Sequence, residues 1–222
     1  MSHINHQKIV LAGEGGQGVQ LVGELLAETA YISNLESIYI PNFGVEQRGG
    51  VSIAFVQISQ TPIGAPKFQK ADLLVVLSPR SVERTKGYIK NDTFYLYDSS
   101  QIKTPGISDQ AIGIQGYETV APEGFSAMTG TEPGPAISPE KTGFSKPLGI
   151  PAAEIAKAEL NPRVFNIIIL GAIVGLLKSL NPEKVMDAIR RKLGGKFKEK
   201  PELEELNLRA FHKGMQLLQQ YQ

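Results

Sequence analysis

The stretch that most constrains the fold lies near the start of the chain. Lys8–Ala12 is a short apolar run that breaks into Gly13-Glu14-Gly15-Gly16-Gln17-Gly18. From Gln17 to Ser33 the pattern resumes with Val19, Val22, Leu25, Leu26 and Ala30 at helical spacing, while Glu24 and Glu28 fall on the other face. A strand, a glycine-rich turn and a helix in that order are the opening unit of a layered α/β sheet. The next segments fit the same class. Ser37–Ile40, Val51–Ile58, Leu73–Leu77 and Phe94–Tyr97 read as further strands, and a helix is predicted near Ser81–Lys90.

Beyond these strands the character changes. In Ser99–Gly149, 14 of 51 residues are Gly or Pro, a density that marks an insertion rather than regular structure. Four helices are then predicted: Pro151–Leu160, Pro162–Leu180, Pro182–Leu193 and Glu202–Gln219. In the last, Leu203, Leu206, Ala210 and Leu217 form one apolar stripe. The run Ile167–Leu177 is apolar throughout but falls short of the roughly 20 residues that cross a bilayer, so it reads as a buried helix. Its Gly171 and Gly175 would let another backbone come close. With 222 residues, and about 150 per domain, the chain reads as a single domain over 1–222 with an insertion at about 99–149.

A hydrophobic content of 41% and a charged content of 20% are those of an ordinary globular domain. The net charge of +1 supplies no global field for nucleic acid or an anionic membrane. There is no cysteine, which excludes disulfides, thiolate zinc, cysteine nucleophiles and any iron–sulfur cluster held by this chain's own thiolates. The opening MSHINHQKIVLAG lacks an export-type apolar stretch, so a cytoplasmic location is expected.

The glycine turn suits an anion, because glycine lets the backbone fold tightly and exposed N–H groups at a helix start can hold a phosphate or pyrophosphate. A dinucleotide would also need an acidic residue at the end of the second strand. Glu36 has the right separation but precedes that strand, which ends in Ile40-Pro41-Asn42. A purely structural turn is the alternative. The second polar, glycine-rich loop is Pro41-Asn42-Phe43-Gly44-Val45-Glu46-Gln47-Arg48-Gly49-Gly50. If it lies beside the first, Arg48 is placed to clamp a phosphate; otherwise Gly49-Gly50 only turns the chain and Arg48 pairs with Glu46.

Together these blocks resemble a known family. Gly13-x-Gly-Gly-Gln-Gly18 with Gly44-x-Glu-Gln-Arg-Gly-Gly50 is similar to the gamma subunit of 2-oxoacid:ferredoxin oxidoreductases, as are Ile150-Pro-Ala-Ala-Glu-Ile-Ala156, Asn166-Ile-Ile-Ile-Leu-Gly-Ala172, Asn207 and Ala210-Phe-x-x-Gly214. The resemblance implies a three-layer α/β/α domain with a mixed, mainly parallel sheet and a helical C-terminal third. It implies a subunit, inert alone, of a complex that decarboxylates a 2-oxoacid oxidatively to its acyl-coenzyme A. Thiamine diphosphate, magnesium and [4Fe-4S] clusters would sit on alpha, beta and delta-type iron–sulfur chains, with ferredoxin as electron acceptor. Coenzyme A would be a shared substrate, held here by Gly13, Gly15, Gly16, Gln17, Gly18, Glu46, Arg48, Gly49, Gly50 and Asn166. No catalytic residue, metal site, nucleic acid or membrane is expected for this chain. Gln47-Arg48 also resembles the smaller chain of indolepyruvate oxidoreductases, whereas Gly44-Val45-Glu46 is closer to the pyruvate, 2-oxoisovalerate and 2-oxoglutarate branches. The alternatives are a stand-alone Rossmann-like nucleotide-binding oxidoreductase and a non-catalytic scaffold subunit.

Other motifs carry less. Ser138-x-x-Lys141 and Lys141-Thr-Gly143 share a single lysine, where penicillin-recognising enzymes need two. His3, His6 and His212 have no sequence companions that would make a metal or catalytic site. Between Arg190 and Lys200 six basic residues meet one acid, Glu199. That run is either a solvated face or a dock for an acidic ferredoxin-like partner or the coenzyme A 3′-phosphate, and it lacks the aromatic interleaving of a nucleic-acid site.

Overall fold

A computed structural model describes residues 6–43, 50–90, 92–105, 117–119 and 147–219. Its centre is a six-stranded sheet in the order β2-β3-β1-β4-β5-β8. The strands are β1 (Gln7–Glu14), β2 (Glu36–Asn42), β3 (Val51–Ser59), β4 (Leu73–Val76), β5 (Phe94–Asp98) and β8 (Pro147–Ile150). β1, β4, β5 and β8 run parallel, and β3 is antiparallel to both β1 and β2. The sheet is therefore mixed and mainly parallel, as expected. Two short strands, β6 (Lys103–Pro105) and β7 (Tyr117–Thr119), form a separate antiparallel pair.

Side-chain alternation along the strands divides the core between the two faces. Ile9 and Leu11 of β1, Leu73 and Val75 of β4, and Leu96 of β5 face one way and join the larger cluster. That cluster takes in α1 (Val19–Ile32), α3 (Ala152–Glu159), α4 (Phe165–Leu177), α5 (Pro182–Glu199) and α6 (Glu202–Gln219). Val10, Leu74, Val76, Tyr95 and Tyr97 point the other way, where Val82 of α2 (Pro79–Thr85) and Ile102 cover them. Among the described residues the third layer is thus thin, a short helix and its flanking loops.

Several predicted boundaries move. The helix expected over Ser81–Lys90 is α2 plus a single 3-10 turn at Lys86–Tyr88. Ser78 starts it through a reciprocal capping box with Ser81, and Pro79 takes the first turn. The helix expected over Pro162–Leu180 is a 3-10 turn, Pro162–Val164, followed by α4, which stops where Lys178 turns left-handed at φ 50. The helix expected to end at Leu193 runs on to Glu199, through Gly194-Gly195, because Phe197 is still buried one turn further. Pro147–Gly149, expected within the insertion, are instead sheet-edge strand, with Leu148 and Ile150 buried. Residues 106–116 and 120–146 lie outside the described residues, and with them Ser138 and Lys141.

α4 is nearly all apolar, and its buried stretch includes Asn166 through Val174. It packs on α6 at close range. A Cβ on Gly171 would sit well inside 3.0 Å of the Phe211 carbonyl oxygen, and one on Gly214 equally close to that of Ile168. The close backbone approach expected of Gly171 is this crossing, and Gly175 adds to it, with Leu218 Cδ1 at 2.8 Å from its would-be Cβ.

Candidate functional site

β1 and β4 are neighbours and parallel, yet the chain leaves them toward opposite faces. After β1 it enters α1, in the larger cluster; after β4 it enters α2, in the smaller. Such a divergence opens a crevice beyond the strand ends, where ligands of open α/β sheets bind. The glycine turn stands at that point.

The turn is tightly held. Gln17 N–H donates to Glu14 O at 3.1 Å. The Gln17 side chain accepts from Glu14 N–H at 2.7 Å and donates to Leu77 O at 3.0 Å, fastening the turn to the end of β4. Gly13 makes room for it, since a Cβ there would stand 2.6 Å from Gln17 Oε1. Gly16 and Gly18 take φ values of 97 and 74, a region that side chains other than glycine rarely enter. Gly15 and Gly16 are exposed or half-exposed, with nothing within 4 Å of a would-be Cβ. The sequence pattern groups Gln17 with the ligand contacts; its amide is used inside the turn.

The second glycine-rich loop joins β2 to β3, which end and begin at the end of the sheet reached by β1, where Glu14 is paired with Val51. Gly15 N–H donates to Gly50 O at 3.2 Å, joining the turn to the end of that loop. Glu46, Arg48 and Gly49 lie outside the described residues.

α1 begins at Gly18 with no side-chain cap and no acidic residue in its first turn. Its leading N–H groups and the positive end of its dipole therefore meet no acidic side chain of the helix's own first turn. Gln20 in that turn is anchored, donating to Ser52 Oγ at 2.7 Å and Ile53 O at 3.1 Å while accepting from Tyr39 O–H at 2.7 Å. Burial, with the Glu24 carboxylate second, pushes the Tyr39 hydroxyl up to about 12, so it remains a donor at any physiological pH.

Asn166, at the start of α4, packs against Gly18. A Cβ on Gly18 would collide with Asn166 Nδ2. The residue is 6% exposed, and its Oδ1 is buried with no hydrogen-bond partner. A buried amide left unsatisfied beside an uncapped helix start is costly in a purely structural element. Of the residues singled out in the sequence, Gly13, Gly15, Gly16, Gln17, Gly18, Gly50 and Asn166 are brought together here. Glu36 is not: it is the first residue of β2, at the opposite end of the strand from the turn.

Three further polar groups lie outside that set. Asp98, fully buried at the end of β5, accepts from Ser100 N–H at 3.0 Å, Ser100 Oγ at 2.5 Å and Ala153 N–H at 3.2 Å, so it anchors the start of α3. Burial raises its pKa, and these hydrogen bonds work against the rise. His6 is exposed, with Nε2 2.7 Å from Gln57 Oε1. His212 lines a surface cleft of about 320 Å³ with Glu159, Arg209 and Lys213. Among the described residues no group of three or more His, Asp or Glu could hold a metal ion.

The model of one protein family, pyruvate ferredoxin/flavodoxin oxidoreductase, matches residues 8–217. The chain belongs to that family. It is 30% identical over 213 residues to the 2-oxoglutarate synthase subunit KorC of Methanocaldococcus jannaschii, covering 95% of this chain and 93% of that one. It is 28% identical over 208 residues to the ketoisovalerate oxidoreductase subunit VorA of Methanothermobacter thermautotrophicus, covering 93% of this chain but only 35% of VorA. The chain thus spans about a third of one relative and nearly all of the other. Among solved structures, the keto/oxoacid ferredoxin oxidoreductase gamma subunit of Geobacter sulfurreducens superposes with a TM-score of 0.63 at 23% identity, over 95% of this chain and 96% of that one. The 2-oxoglutarate:ferredoxin oxidoreductase of Magnetococcus marinus, solved with 2-oxoglutarate, coenzyme A and succinyl-CoA, gives 0.69 at 24% identity, over 96% of this chain and 31% of that one. These two solved structures share the fold of this chain. No helix among the described residues is long and apolar enough to cross a membrane.

Proposed function

We propose that this chain is the gamma-type subunit of a complex that converts a 2-oxoacid to its acyl-coenzyme A, and that its part is to hold coenzyme A while joining the complex together. One observation carries the reading: the uncapped start of α1, the open Gly15-Gly16 turn, the Gly50 end of the second loop and the Asn166 amide, packed on Gly18 with its Oδ1 unsatisfied, converge where β1 and β4 send the chain to opposite faces. Coenzyme A carries a pyrophosphate and a 3′-phosphate. The first suits helix N–H groups and the second a guanidinium, the role assigned to Arg48, with Glu46 and Gly49 shaping its loop.

Thiamine diphosphate, bound with magnesium by alpha and beta chains, would supply the carbanion chemistry at the keto carbon. [4Fe-4S] clusters on a delta-type chain would take the electrons on to ferredoxin; without cysteine, this chain offers no thiolate for them. The test is Arg48→Ala in the assembled enzyme. The KM for coenzyme A is expected to rise about tenfold or more, with kcat for the 2-oxoacid half-reaction unchanged. An unchanged KM would favour a scaffold. The dinucleotide alternative is disfavoured because β2 ends in Pro41-Asn42, with no acid for a ribose. Saturable binding of NAD or a flavin by the isolated chain would revive it.

A further inference from the structure

Glycine is a poor residue for an exposed helix interior, yet Gly194 and Gly195 stand side by side in α5. A Cβ at either would meet nothing within 4 Å. Every other described glycine inside an α-helix or β-strand has a steric reason: Gly13, Gly23, Gly149, Gly171, Gly175 and Gly214 would each place a Cβ under 3.0 Å from a neighbour. Nothing among the described residues needs the bare backbone of α5.

The same stretch holds cations with no counter-charge. Arg190 is bound to Asp187 and Glu204, and Lys192 to Glu24. Arg191, Lys196, Lys198 and Lys200 are exposed and have no ion pair among the described residues. Arg191 stands about one turn before the glycine pair and Lys198 about one turn after it, on the same side of the helix.

We propose that this face of α5 docks an acidic segment of another polypeptide, whose backbone approaches at Gly194-Gly195 while its carboxylates meet Arg191 and Lys198. The crossing of α4 and α6, where Gly171 and Gly214 bring two backbones together, is the same device satisfied internally. Nucleic acid fits less well, because the aromatic residue of the run, Phe197, is buried and offers no stacking face. A lipid surface fits less well too, since the apolar side of α5, with Val185, Met186, Ala188 and Ile189, is turned into the core.

The test uses the full chain and the complex purified with its natural companion chains. In the assembled complex, zero-length carbodiimide coupling is expected to join Lys198 to Asp or Glu of a companion. The double change Gly194→Gln with Gly195→Gln is expected to raise the melting temperature of the isolated chain, since both sites are open, yet weaken its association with the other subunits at least about tenfold. Arg191→Glu with Lys198→Glu is expected to weaken association by a similar factor at low salt, with the chain still folded by circular dichroism. Undiminished association in both variants overturns the proposal. So does normal assembly by the charge-reversed chain together with lost binding to phosphatidylserine vesicles or a DNA oligonucleotide, which would reassign the face to lipid or nucleic acid.

Discussion

Gly15 and Gly18 share one turn but serve it differently, and substitution separates the two uses. At Gly18 the φ of 74 and the Asn166 amide, which a Cβ would strike, both oppose any side chain. Gly18→Ala should destabilise the chain by about 1–3 kcal/mol, read by urea denaturation. At Gly15, whose φ lies outside the positive range and whose surroundings are open, Gly15→Ala should move stability by less than about 0.5 kcal/mol. It should nonetheless raise the KM for coenzyme A in the complex, because the new methyl occupies the space a phosphate would enter. Asp98 provides a pH signature. Its folded pKa is raised by burial, so the folded state holds the proton more tightly than the unfolded one. The resulting stabilisation is complete below the unfolded value of about 3.9 and is lost as pH rises through the raised one. The melting temperature of the parent minus that of Asp98→Asn should therefore grow as pH falls from 7 toward 4; a flat difference would contradict the shift. At this scale the glycines are legible in the sequence because their spacing between strand and helix is a local pattern. Asp98 is not: Ser100 stands two residues on, but Ala153, whose helix it anchors, is brought to it only by folding.

The α4–α6 crossing is the least forgiving feature among the elements. Gly171→Ala or Gly214→Ala would drive a methyl against a backbone carbonyl that cannot rotate away, at a cost of about 3 kcal/mol, visible as a fall in the urea midpoint. Gly194→Ala in the neighbouring helix should do the opposite and stabilise, by up to about 1 kcal/mol. Identical residues thus have opposite effects, and sequence cannot tell them apart. It is also why the sequence pattern ends α5 at Leu193: glycine pairs punctuate chains locally, and only the burial of Phe197 carries the helix past them. β8 escapes the sequence pattern for a related reason. It is a four-residue strand at the edge of a Gly- and Pro-rich stretch, and only its pairing with β5 defines it. The long, periodic elements α1 and α6 are readable because their apolar stripes extend over several turns.

For the molecule as a whole, alternating strands and helices make the layered α/β class readable, but strand order is not. Nothing local says that β3 slips between β1 and β2, although that placement brings Gly50, at the start of β3, back to the glycine turn. The long segment between β5 and β8 is tested at this scale. A deletion within residues 106–146 that spares Ile102 and β8 should release companion chains, as seen by native mass spectrometry. A complex that stays whole would remove that segment from assembly. The packing of α4 also bears on how the protein is made. Ile167 through Val174 is an unbroken apolar stretch whose close partner, α6, is encoded later. At a synthesis rate of about 5–20 residues per second, α4 leaves the ribosome seconds before α6 can cover it. For that interval the nascent chain carries its stickiest surface uncovered, which makes this helix the place where a chaperone would first be needed and where hurried overexpression would first produce aggregates.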